Sequence, residues 1–403
     1  MSSRPHAVGY LDELRQIVPT EQIEPQLDGD EGGGSWAVEP ATQVELVEVL
    51  RWANQRHAAV FTRHPRRSDA QPPFSRRPRI YLRGRRMKRV KDLDVVSGTI
   101  TVQSGITMAE LDELLGERSF TTGFPTRPWR QESLGAVLAA ALDAHWGPRY
   151  GAMESEVVSL GVVFPDGTAA GGRGAPRRAV GPDFDRLFLG SRGRFGIIYE
   201  ATLRIYPSAG RVALSYAAPD LATALATVHA GLLAGLDPRA VEIVTPAPDR
   251  EWGKKRVGLT AQNPVLVLVE PWGPIAGRPV SWVDDHFAEK LVKLEPPVGW
   301  NVHEGLLPAP RAWTAPVVAL SWRELEALAA ELGGDVPAGL WLVRCSEHGG
   351  WLSVAAGIEG QAADTVRAAL VAHSVQKPTM WKRIQDQLKA ELDPKDILNP
   401  GLG

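Results

Sequence analysis

The chain has 403 residues, of which 44% are hydrophobic and 23% charged, and its formal net charge is −2. This length predicts two domains, the composition is typical of a soluble globular protein, and the small charge gives no overall attraction to nucleic acid or membrane. The single cysteine, Cys345, excludes an internal disulfide and any metal or iron–sulfur site that needs several thiolates of this chain. It is also typical of a reducing cytoplasm, where we expect the protein to reside.

The first residues predict a lead-in to the fold. Residues 1–29 contain no signal-peptide core, and no apolar run in the sequence reaches membrane-spanning length. The glycine-rich stretch 28–34 also contains Asp28, Asp30 and Glu31, which would repel phosphate. It therefore indicates a flexible loop and not a phosphate-binding one.

A helix and a strand are predicted next. The sequence Thr42-Gln43-Val44-Glu45 is a capping box, which predicts a helix over residues 41–54. Its apolar face is expected to contain Val44, Val47, Leu50 and Ala53. Residues 58–61 predict the strand that follows.

A basic segment comes after this strand. Residues 62–69 are Thr-Arg-His-Pro-Arg-Arg-Ser-Asp, and Asp69 is the only acidic residue between Arg63 and Lys91. The basic residues form either a solvated face or a patch for an acidic partner subunit, a phosphate compound or nucleic acid. No nucleic-acid-binding motif accompanies them, so no nucleic acid is expected as a partner.

Residues 78–133 predict strands at 79–82 and 99–105, with a turn at Gly105. The capping box Thr107-Met108-Ala109-Glu110 opens a helix through Leu115. Residues 121–130 contain two prolines and indicate a loop, after which Ser133 is placed to cap the next helix.

The stretch 133–207 is the most distinctive part of the chain. It contains a run of small residues at 133–141, then Gly147-Pro148-Arg149-Tyr150-Gly151, a predicted strand at 157–163 and a turn at Pro165-Asp166-Gly167. Residues 169–181 predict a surface loop, and the alternation of residues 197–205 predicts a half-buried strand. Residues 187–198 read Leu-Phe-Leu-Gly-Ser-Arg-Gly-Arg-Phe-Gly-Ile-Ile.

These segments resemble the FAD-binding domain of the vanillyl-alcohol oxidase family, also called the PCMH-type flavin fold. Residues 187–198 match the family pattern Leu-Phe-x-Gly-Ser-x-Gly-x-x-Gly-Ile-Ile, and residues 392–401 match its Leu-Asp-Pro…Leu-Asn-Pro-Gly ending. The resemblance implies an α+β protein: a lead-in at 1–29, a PCMH-type two-subdomain FAD-binding domain at 30–208, an α+β cap for the substrate at 209–374, and a segment at 375–403 that returns to the FAD domain.

The resemblance also implies which residues bind FAD. The helix that begins at Ser133 is expected to face the flavin and to stabilise negative charge on a reduced ring or a phosphate. The implied cofactor-binding residues are Arg63, Arg66, Arg67, Ser68, Gly105, Ser133, Gly135, Gly147, Gly151, Gly193, Gly196, Ile197 and Asn399.

One of these segments departs from the family. Relatives place several glycines after the first strand, and their N–H groups cradle the FAD pyrophosphate, whereas residues 62–69 contain no glycine and Pro65 has no N–H. Either arginine side chains bind the pyrophosphate instead, or they fill the space and the flavin site is lost. His64 precedes a proline, unlike the histidines that tether flavin in some relatives, so a covalent link is not expected.

The cap is predicted from hydrophobic patterns. Strands are expected at 212–216, 241–245, 265–270, 317–320, 340–344 and 351–355. Helices are expected at 221–233, 280–291 and 321–332, the last with the capping box Ser321-Trp322-Arg323-Glu324.

The sequence assigns no catalytic residue and no metal site. Residue type alone singles out His303, Glu304, Arg311, Arg344, Glu347 and His348. Relatives that oxidise hydroxy acids often carry closely spaced histidines in the cap, and this chain shows no such cluster.

Two functions follow from the resemblance. Size and ending most resemble the smaller flavin-type subunit of bacterial glycolate oxidases. This implies an FAD-dependent oxidoreductase, or a subunit of a redox complex, that oxidises a small hydroxy acid or alcohol by hydride transfer to flavin. An iron–sulfur or second flavin subunit is its implied partner. The alternative is a family member that has lost FAD and acts as a structural or assembly subunit through its basic surface. The altered loop favours the alternative, and the intact segments 133–151 and 187–198 favour the enzyme.

Overall fold

A computed structural model of the chain describes residues 4–26, 34–62, 77–124, 130–140, 150, 153–171, 183–208, 213–246, 257–271, 280–297, 318–333, 339–346, 348–354, 361–373 and 379–400. The described residues form an N-terminal domain of two subdomains and a second α+β domain, called the cap below. In the part of the chain that is described, no helix combines the length and hydrophobicity needed to cross a bilayer.

The first subdomain is built on a four-stranded sheet with the order β1-β2-β4-β3. Its strands are β1 (Ile23–Pro25), β2 (Ser35–Val38), β3 (Ala59–Phe61) and β4 (Arg79–Leu82). β2 and β3 each run parallel to β4. Helices α1 (Arg4–Arg15) and α2 (Gln43–Arg56) pack on one face of the sheet, where they bury Leu14, Leu46 and Leu50 against Val38 and Val60.

Three details of this subdomain differ from the sequence predictions. Residues 4–26 belong to the subdomain, because β1 pairs with β2 and α1 packs on the sheet. The capping box of α2 is half formed: Thr42 accepts from the N–H of Glu45, but the Glu45 carboxylate accepts from the N–H of Ala41. Val44 is exposed, because the helix turns Leu46, Val49 and Leu50 towards the sheet instead.

The second subdomain is an antiparallel sheet with the order β5-β6-β10-β8-β9. Its strands are β5 (Val90–Asp94), β6 (Thr99–Gln103), β8 (Val157–Val163), β9 (Ala169–Gly171) and β10 (Ile197–Arg204); a separate ladder joins β7 (Phe120–Thr121) to β11 (Tyr206–Pro207). Its helices are α3 (Met108–Gly116), α4 (Leu134–Ala140) and α5 (Met153–Glu156). The predicted capping box of α3 is confirmed by both reciprocal hydrogen bonds between Thr107 and Glu110.

Strand β10 lies between two hydrophobic cores. Ile197 and Tyr199 pack in the core of the first subdomain, whereas Ile198, Ala201 and Leu203 pack in the core of the second. The prediction of a half-buried strand is therefore wrong, because both faces are covered. Residues 169–171, predicted as loop, pair with β8, and the rest of that predicted loop up to 181 lies outside the described residues.

The cap contains a seven-stranded antiparallel sheet with the order β15-β12-β14-β13-β17-β18-β16. Its strands are β12 (Leu214–Ala218), β13 (Ala240–Val244), β14 (Val265–Glu270), β15 (Val292–Lys293), β16 (Val318–Ser321), β17 (Leu340–Ser346) and β18 (Gly349–Val354). Helices α6 (Leu221–Leu233), α7 (Val280–Ala288), α8 (Trp322–Leu332) and α9 (Gln361–His373) pack on one face of the sheet. The six predicted strands are present with bounds shifted by at most two residues, whereas β15 and α9 are found only in the structure.

The two faces of the cap sheet differ in composition. Val241, Ile243 and Val267 point into the core beneath the helices. Side chains alternate along a strand, so Glu242 and Leu268, which face each other in register, lie on the opposite side. That side carries a smaller apolar cluster together with the buried carboxylates of Glu242 and Glu270.

After the cap, helix α10 (Thr379–Leu392) returns to the N-terminal domain. Leu388 and Leu392 of this helix pack against the core of the second subdomain. Leu398 then bridges Val60 of β3 in parallel, which extends the first sheet by one short segment. This is the return that the ending of the sequence predicts.

Candidate cofactor and substrate site

Residues 393–399, called the clasp below, are organised around one buried aspartate. Both carboxylate oxygens of Asp393 are used: Oδ1 accepts from the N–H of Ile397 at 3.0 Å, and Oδ2 accepts from the N–H of Leu398 at 2.8 Å and from the Lys389 ammonium. The ammonium also donates to the carbonyl of Leu398 at 2.7 Å. The motif Leu-Asp-Pro…Leu-Asn-Pro therefore folds into a fixed turn.

The clasp brings together three elements of the predicted cofactor site. The Asn399 side chain accepts from the N–H of Thr62 at 3.0 Å and donates to the carbonyls of Arg192 and Gly193 at 3.1 and 3.2 Å. The Asn399 N–H donates to the carbonyl of Val60 at 2.7 Å. Two of the predicted residues, Gly193 and Asn399, are thus neighbours of the last residue before the arginine-containing segment.

Gly105 lies where the two subdomains meet, and Gly135 packs nearby within the second subdomain. A Cβ on Gly105 would lie 1.8 Å from the carbonyl oxygen of Gly84, and one on Gly135 would lie 3.0 Å from Cβ of Ser104. Ser104 itself donates through its hydroxyl to the carbonyl of Ile198 at 2.7 Å. Because glycine has no side chain, neighbouring parts of the protein can pack directly against the backbone at these two positions.

The start of α4 is occupied by protein acceptors. Ser133 caps the helix as predicted, since its hydroxyl accepts from the N–H of Ala136 at 3.3 Å. The N–H groups of Leu134 and Gly135 donate to the carbonyls of Ile106 and Ser104, both at 2.8 Å. These three N–H groups therefore bind protein acceptors, and the expectation that the helix start faces the flavin and stabilises negative charge there stays a prediction.

The segment 187–198 wraps the other end of α4. The N–H of Gly190 donates to the carbonyl of Leu138, and that of Arg192 to the carbonyl of Ala139. Gly196 is packed, because a Cβ there would lie 2.6 Å from Cγ1 of Val162, and Ile197 opens β10 opposite Val163. The contacts of Gly196 and Ile197 fix one end of the segment 187–198, which also contains the turns at Gly190 and Gly193.

Six of the predicted cofactor-binding residues lie outside the described residues: Arg63, Arg66, Arg67, Ser68, Gly147 and Gly151. His64 lies there too. The choice between an arginine-bound pyrophosphate and a filled site stays a prediction of the sequence.

Much of the basic run is paired with acidic side chains from other segments. The pairs are Arg83 with Glu24 and Glu39, Arg85 with Glu39, Lys88 with Glu110, and Lys91 with Glu200. Arg85 holds the pKa of the Glu39 carboxyl below its ordinary value through a charged hydrogen bond. The surface at these positions therefore alternates in charge, and it is less basic than the sequence alone indicates.

The cap meets the N-terminal domain through a buried ion pair. Arg239 precedes β13; its Nη2 donates to the hydroxyl of Thr121 in β7 at 2.8 Å, and its Nη1 lies 3.2 Å from the carboxylate of Glu270 at the end of β14. The side chains of Arg239 and Glu270 are 8% and 7% exposed, so both charges are removed from water. The guanidinium also lies 5.9 Å from the ring centre of Tyr150, which belongs to the predicted Tyr-Gly step.

A second buried carboxyl lies near the same junction. The hydroxyl of Tyr206 in β11 donates to Glu156, the last residue of α5, at 2.7 Å, and the Tyr206 ring packs against Tyr150. Burial raises the pKa of Glu156 to about 7, although the Tyr206 hydroxyl and Arg204 oppose the shift. Glu156 can therefore change its protonation state close to neutral pH.

The sequence missed these groups and singled out others. His303, Glu304, Arg311 and Glu347 lie outside the described residues, Arg344 lies in β17, and His348 is exposed beside the turn between β17 and β18. The signal that points to Glu242 and Glu270 is a carboxylate inside or at the end of an otherwise apolar strand, Ala-Val-Glu-Ile-Val and Val-Leu-Val-Leu-Val-Glu. Burying a carboxylate costs free energy unless it is paired or hydrogen-bonded, so a carboxylate in such a strand is a candidate functional group.

Comparison with known proteins identifies the fold. Residues 35–170 match the family described as an FAD binding domain. Solved structures of alkyldihydroxyacetonephosphate synthase and of substrate-bound p-cresol methylhydroxylase superpose with TM-scores of 0.76 and 0.68, at 17% and 14% sequence identity. The superpositions cover 97% and 99% of this chain and 86% and 96% of those chains. The chain therefore has the predicted PCMH-type fold with an α+β cap.

A curated relative matches part of the chain. Over 120 residues the chain is 39% identical to a mitochondrial D-lactate dehydrogenase [cytochrome] of Arabidopsis thaliana, an alignment that covers 30% of this chain and 21% of the relative. Such alignments span between 21% and 36% of the length of the curated relatives. FAD is the cofactor that the matched family and this relative support.

The described residues fit the frame of an FAD site. Asn399 and Gly193 hold Thr62, the last described residue of the first subdomain before residue 63. Gly105 allows the second subdomain to pack closely against the first. These contacts hold the two subdomains in a defined arrangement. The observed contacts of these residues are with protein.

Proposed function

We propose that this chain is an FAD-dependent oxidoreductase, or the flavin subunit of a redox complex, that oxidises a small hydroxy acid or alcohol. Its PCMH-type fold and FAD binding domain support the cofactor. The relative named D-lactate dehydrogenase acts, by its name, on a hydroxy acid. FAD, when bound, would accept the hydride that leaves the substrate carbon.

The observation that carries the substrate class is the buried cation at the junction of cap and cofactor domain. Arg239 lies there among Thr121, Tyr150 and Glu270. A guanidinium has five N–H donors and binds carboxylates well, so its two side-chain contacts leave capacity for a substrate carboxylate. A hydroxy acid is therefore favoured over a simple alcohol.

The surroundings of Arg239 would limit how a substrate can bind. The cap sheet also carries the buried carboxylates of Glu242 and Glu270, which would repel a substrate carboxylate and oppose its attraction to Arg239. Only an orientation that places the substrate carboxylate on Arg239 and away from these two carboxylates would be favoured.

The residues that would hold FAD follow from the frame described above. Thr62, Gly193 and Asn399 would fix one edge of the site, and Arg63, Arg66, Arg67 and Ser68 are the predicted donors to the pyrophosphate. Cys345 is buried and is the only cysteine, so this chain cannot hold a four-cysteine iron–sulfur cluster, and transfer of electrons through such a cluster would need another subunit. An iron–sulfur or second flavin subunit would suit that role.

The first experiment is a visible absorption spectrum of the purified chain, before and after addition of FAD and removal of the excess. We expect about one bound flavin per chain. Anaerobic addition of small 2-hydroxy acids should then bleach the flavin band, whereas alcohols of the same size without a carboxylate should do so at much higher concentration.

A variant links the substrate preference to the site. Arg239→Gln is expected to raise the concentration of hydroxy acid needed for half-maximal bleaching by at least tenfold and to leave that of the alcohols nearly unchanged. Arg367→Gln is a matched control, since Arg367 pairs with Asp364 on the outer helix α9. Equal responses to acids and alcohols would remove the case for a hydroxy acid.

A protein that takes up no FAD would instead support the structural or assembly subunit. The glycine-free sequence of residues 62–69 is the observation in favour of that alternative. The paired charges of Arg83, Arg85, Lys88 and Lys91 weaken it, because they leave less basic surface for a partner.

A further inference from the structure

The clasp contacts the N-terminal domain on both sides of the arginine-containing segment. Thr62 is the last described residue before that segment, and Arg77 is the first described residue after it. Asn399 binds Thr62, and the backbone carbonyls of Lys395 and Asp396 both accept from Nη2 of Arg77 at 3.1 Å. One short stretch of chain thus holds two points that lie far from it in sequence.

The Asn399 amide is fully used by protein. Its oxygen accepts from Thr62, and its nitrogen donates to the carbonyls of Arg192 and Gly193. The residue is 2% exposed. A side chain with this set of contacts cannot also bind FAD, which changes the role that the sequence predicts for Asn399.

The contact also depends on unusual backbone geometry on both sides. Asn399, Arg192 and Gly193 have φ angles of 45°, 55° and 70°, a region that favours glycine and asparagine. A Cβ on Gly193 would lie 2.9 Å from the Asn399 amide nitrogen. The two turns therefore fit each other only with a very small residue at 193 and an amide at 399.

The far end of the clasp is anchored in the same manner. Lys395 donates to the carbonyl of Asn54 at 3.0 Å, and Nε of Arg77 donates to the carbonyl of His57 at 2.7 Å. Both acceptors lie at the end of α2, which is part of the rigid core of the first subdomain. Arg77 is thus fixed between α2 and the clasp.

We infer that the clasp is a positioning device for FAD, and that Asn399 is its principal positioning residue. This inference rests on the proposed function. Asn399 acts through Thr62 and the Arg192–Gly193 turn, which it holds together, and it does not contact the cofactor itself. Loss of the amide would let these two elements separate and would weaken FAD binding.

The test is the dissociation constant of FAD, measured by titrating the cofactor-free full chain and following flavin fluorescence. Asn399→Gly removes the amide and tolerates the positive φ angle, so it avoids the strain of an alanine. We expect the dissociation constant to rise at least tenfold. Asn399→Asp keeps the acceptor for Thr62 but faces two carbonyls with a carboxylate, and we expect an equal or larger rise.

Tyr216→Phe is the matched control. The Tyr216 hydroxyl also bridges two segments, by donating to Asp284 at 2.7 Å, but both residues belong to the cap and neither is an anchor of the clasp. FAD binding should change less than twofold in this variant. Circular dichroism and denaturant unfolding of each cofactor-free variant would show that the chains compared are folded.

The outcomes distinguish failure of this inference from failure of the proposed function. If the native chain binds FAD and Asn399→Gly binds it within twofold, the inference fails and the proposed function stands. If the native chain binds no FAD, the proposed function fails and the inference fails with it. If Asn399→Gly does not fold, Arg77→Gln replaces it, with an expected rise of severalfold, and unchanged binding there would overturn the inference.

Discussion

Two junctions hold distant parts of this chain together, and they are built from different interactions. The clasp joins the N-terminal domain mainly through hydrogen bonds between side chains of residues 393–399 and backbone groups. The cap joins the same domain through Arg239, Glu270 and Thr121, which are side chains from three separate elements. The first junction is one continuous motif, and the second exists only after the chain has folded.

The two junctions are also expected to contribute differently to the stability of the fold. The clasp satisfies backbone groups that folding would otherwise leave without partners, so its hydrogen bonds contribute to stability as a set. The cap junction removes two charges from water, and their attraction roughly offsets that cost. We therefore expect the clasp to matter for folding and the cap junction to matter more for recognition.

The largest effect is expected at Asp393. Asp393→Asn removes one of the acceptors for Ile397, Leu398 and Lys389 and leaves the buried Lys389 ammonium with the more exposed carboxylate of Asp396, 3.3 Å away, in place of a buried one. Removing one partner of a buried pair costs about 3–5 kcal/mol. Denaturant unfolding of the full chain should show a loss of this size in the free energy of unfolding.

Asp386→Asn provides the comparison for that measurement. Asp386 lies on α10, three residues before Lys389, and pairs with Arg194, but its side chain is 49% exposed. Exposed pairs contribute roughly 0–1 kcal/mol. Similar losses in the two variants would contradict the view that the clasp is organised around Asp393.

A smaller effect is expected from the cap junction when both partners are replaced. Arg239→Met or Glu270→Leu alone removes one member of a buried ion pair and should cost about 3 kcal/mol. The double variant should recover most of this loss, because two apolar side chains of similar volume fill the site. Unfolding free energies of the four chains form a double-mutant cycle, and additive losses would show that the two residues do not interact.

The same contrast explains what could be predicted from the sequence. The small residues of 133–141 and the segment 187–198 carry the resemblance that implied the PCMH-type fold, and the superposed structures confirm that fold. The capping boxes at Thr107 and Ser321 depend on a few neighbouring residues and are present as predicted. The clasp is equally local, and its return to the first sheet is seen in the bridge between Val60 and Leu398.

What could not be predicted depends on contacts between distant residues. The basic run reads as one surface in sequence, but Glu24, Glu110 and Glu200 come to it from three other elements. The alternation in β10 predicts one buried face, but the strand lies between two cores. Arg239 and Glu270 likewise become neighbours only when β13 pairs with β14.

The most specific effect is expected at Glu156, which lies near the cap junction but binds within the N-terminal domain. Its folded pKa is about 7, above the ordinary value of 4.5, because it is buried. In the native state the carboxyl therefore keeps its proton between pH 4.5 and pH 7, where the unfolded chain has lost it. The stabilisation is fully present below pH 4.5 and is lost as the pH rises through about 7.

Glu156→Gln removes this pH dependence, because glutamine stays neutral and can still accept from Tyr206. One pKa unit corresponds to about 1.4 kcal/mol, so the variant should gain up to roughly 3 kcal/mol over the native chain at pH 8 and almost nothing at pH 4.5. Glu154→Gln, an exposed carboxylate in the same short helix, should leave the slope unchanged. Parallel curves of unfolding free energy against pH for Glu156→Gln and the native chain would mean that Glu156 titrates normally. Tyr206 would then bind an ionised carboxylate throughout this range.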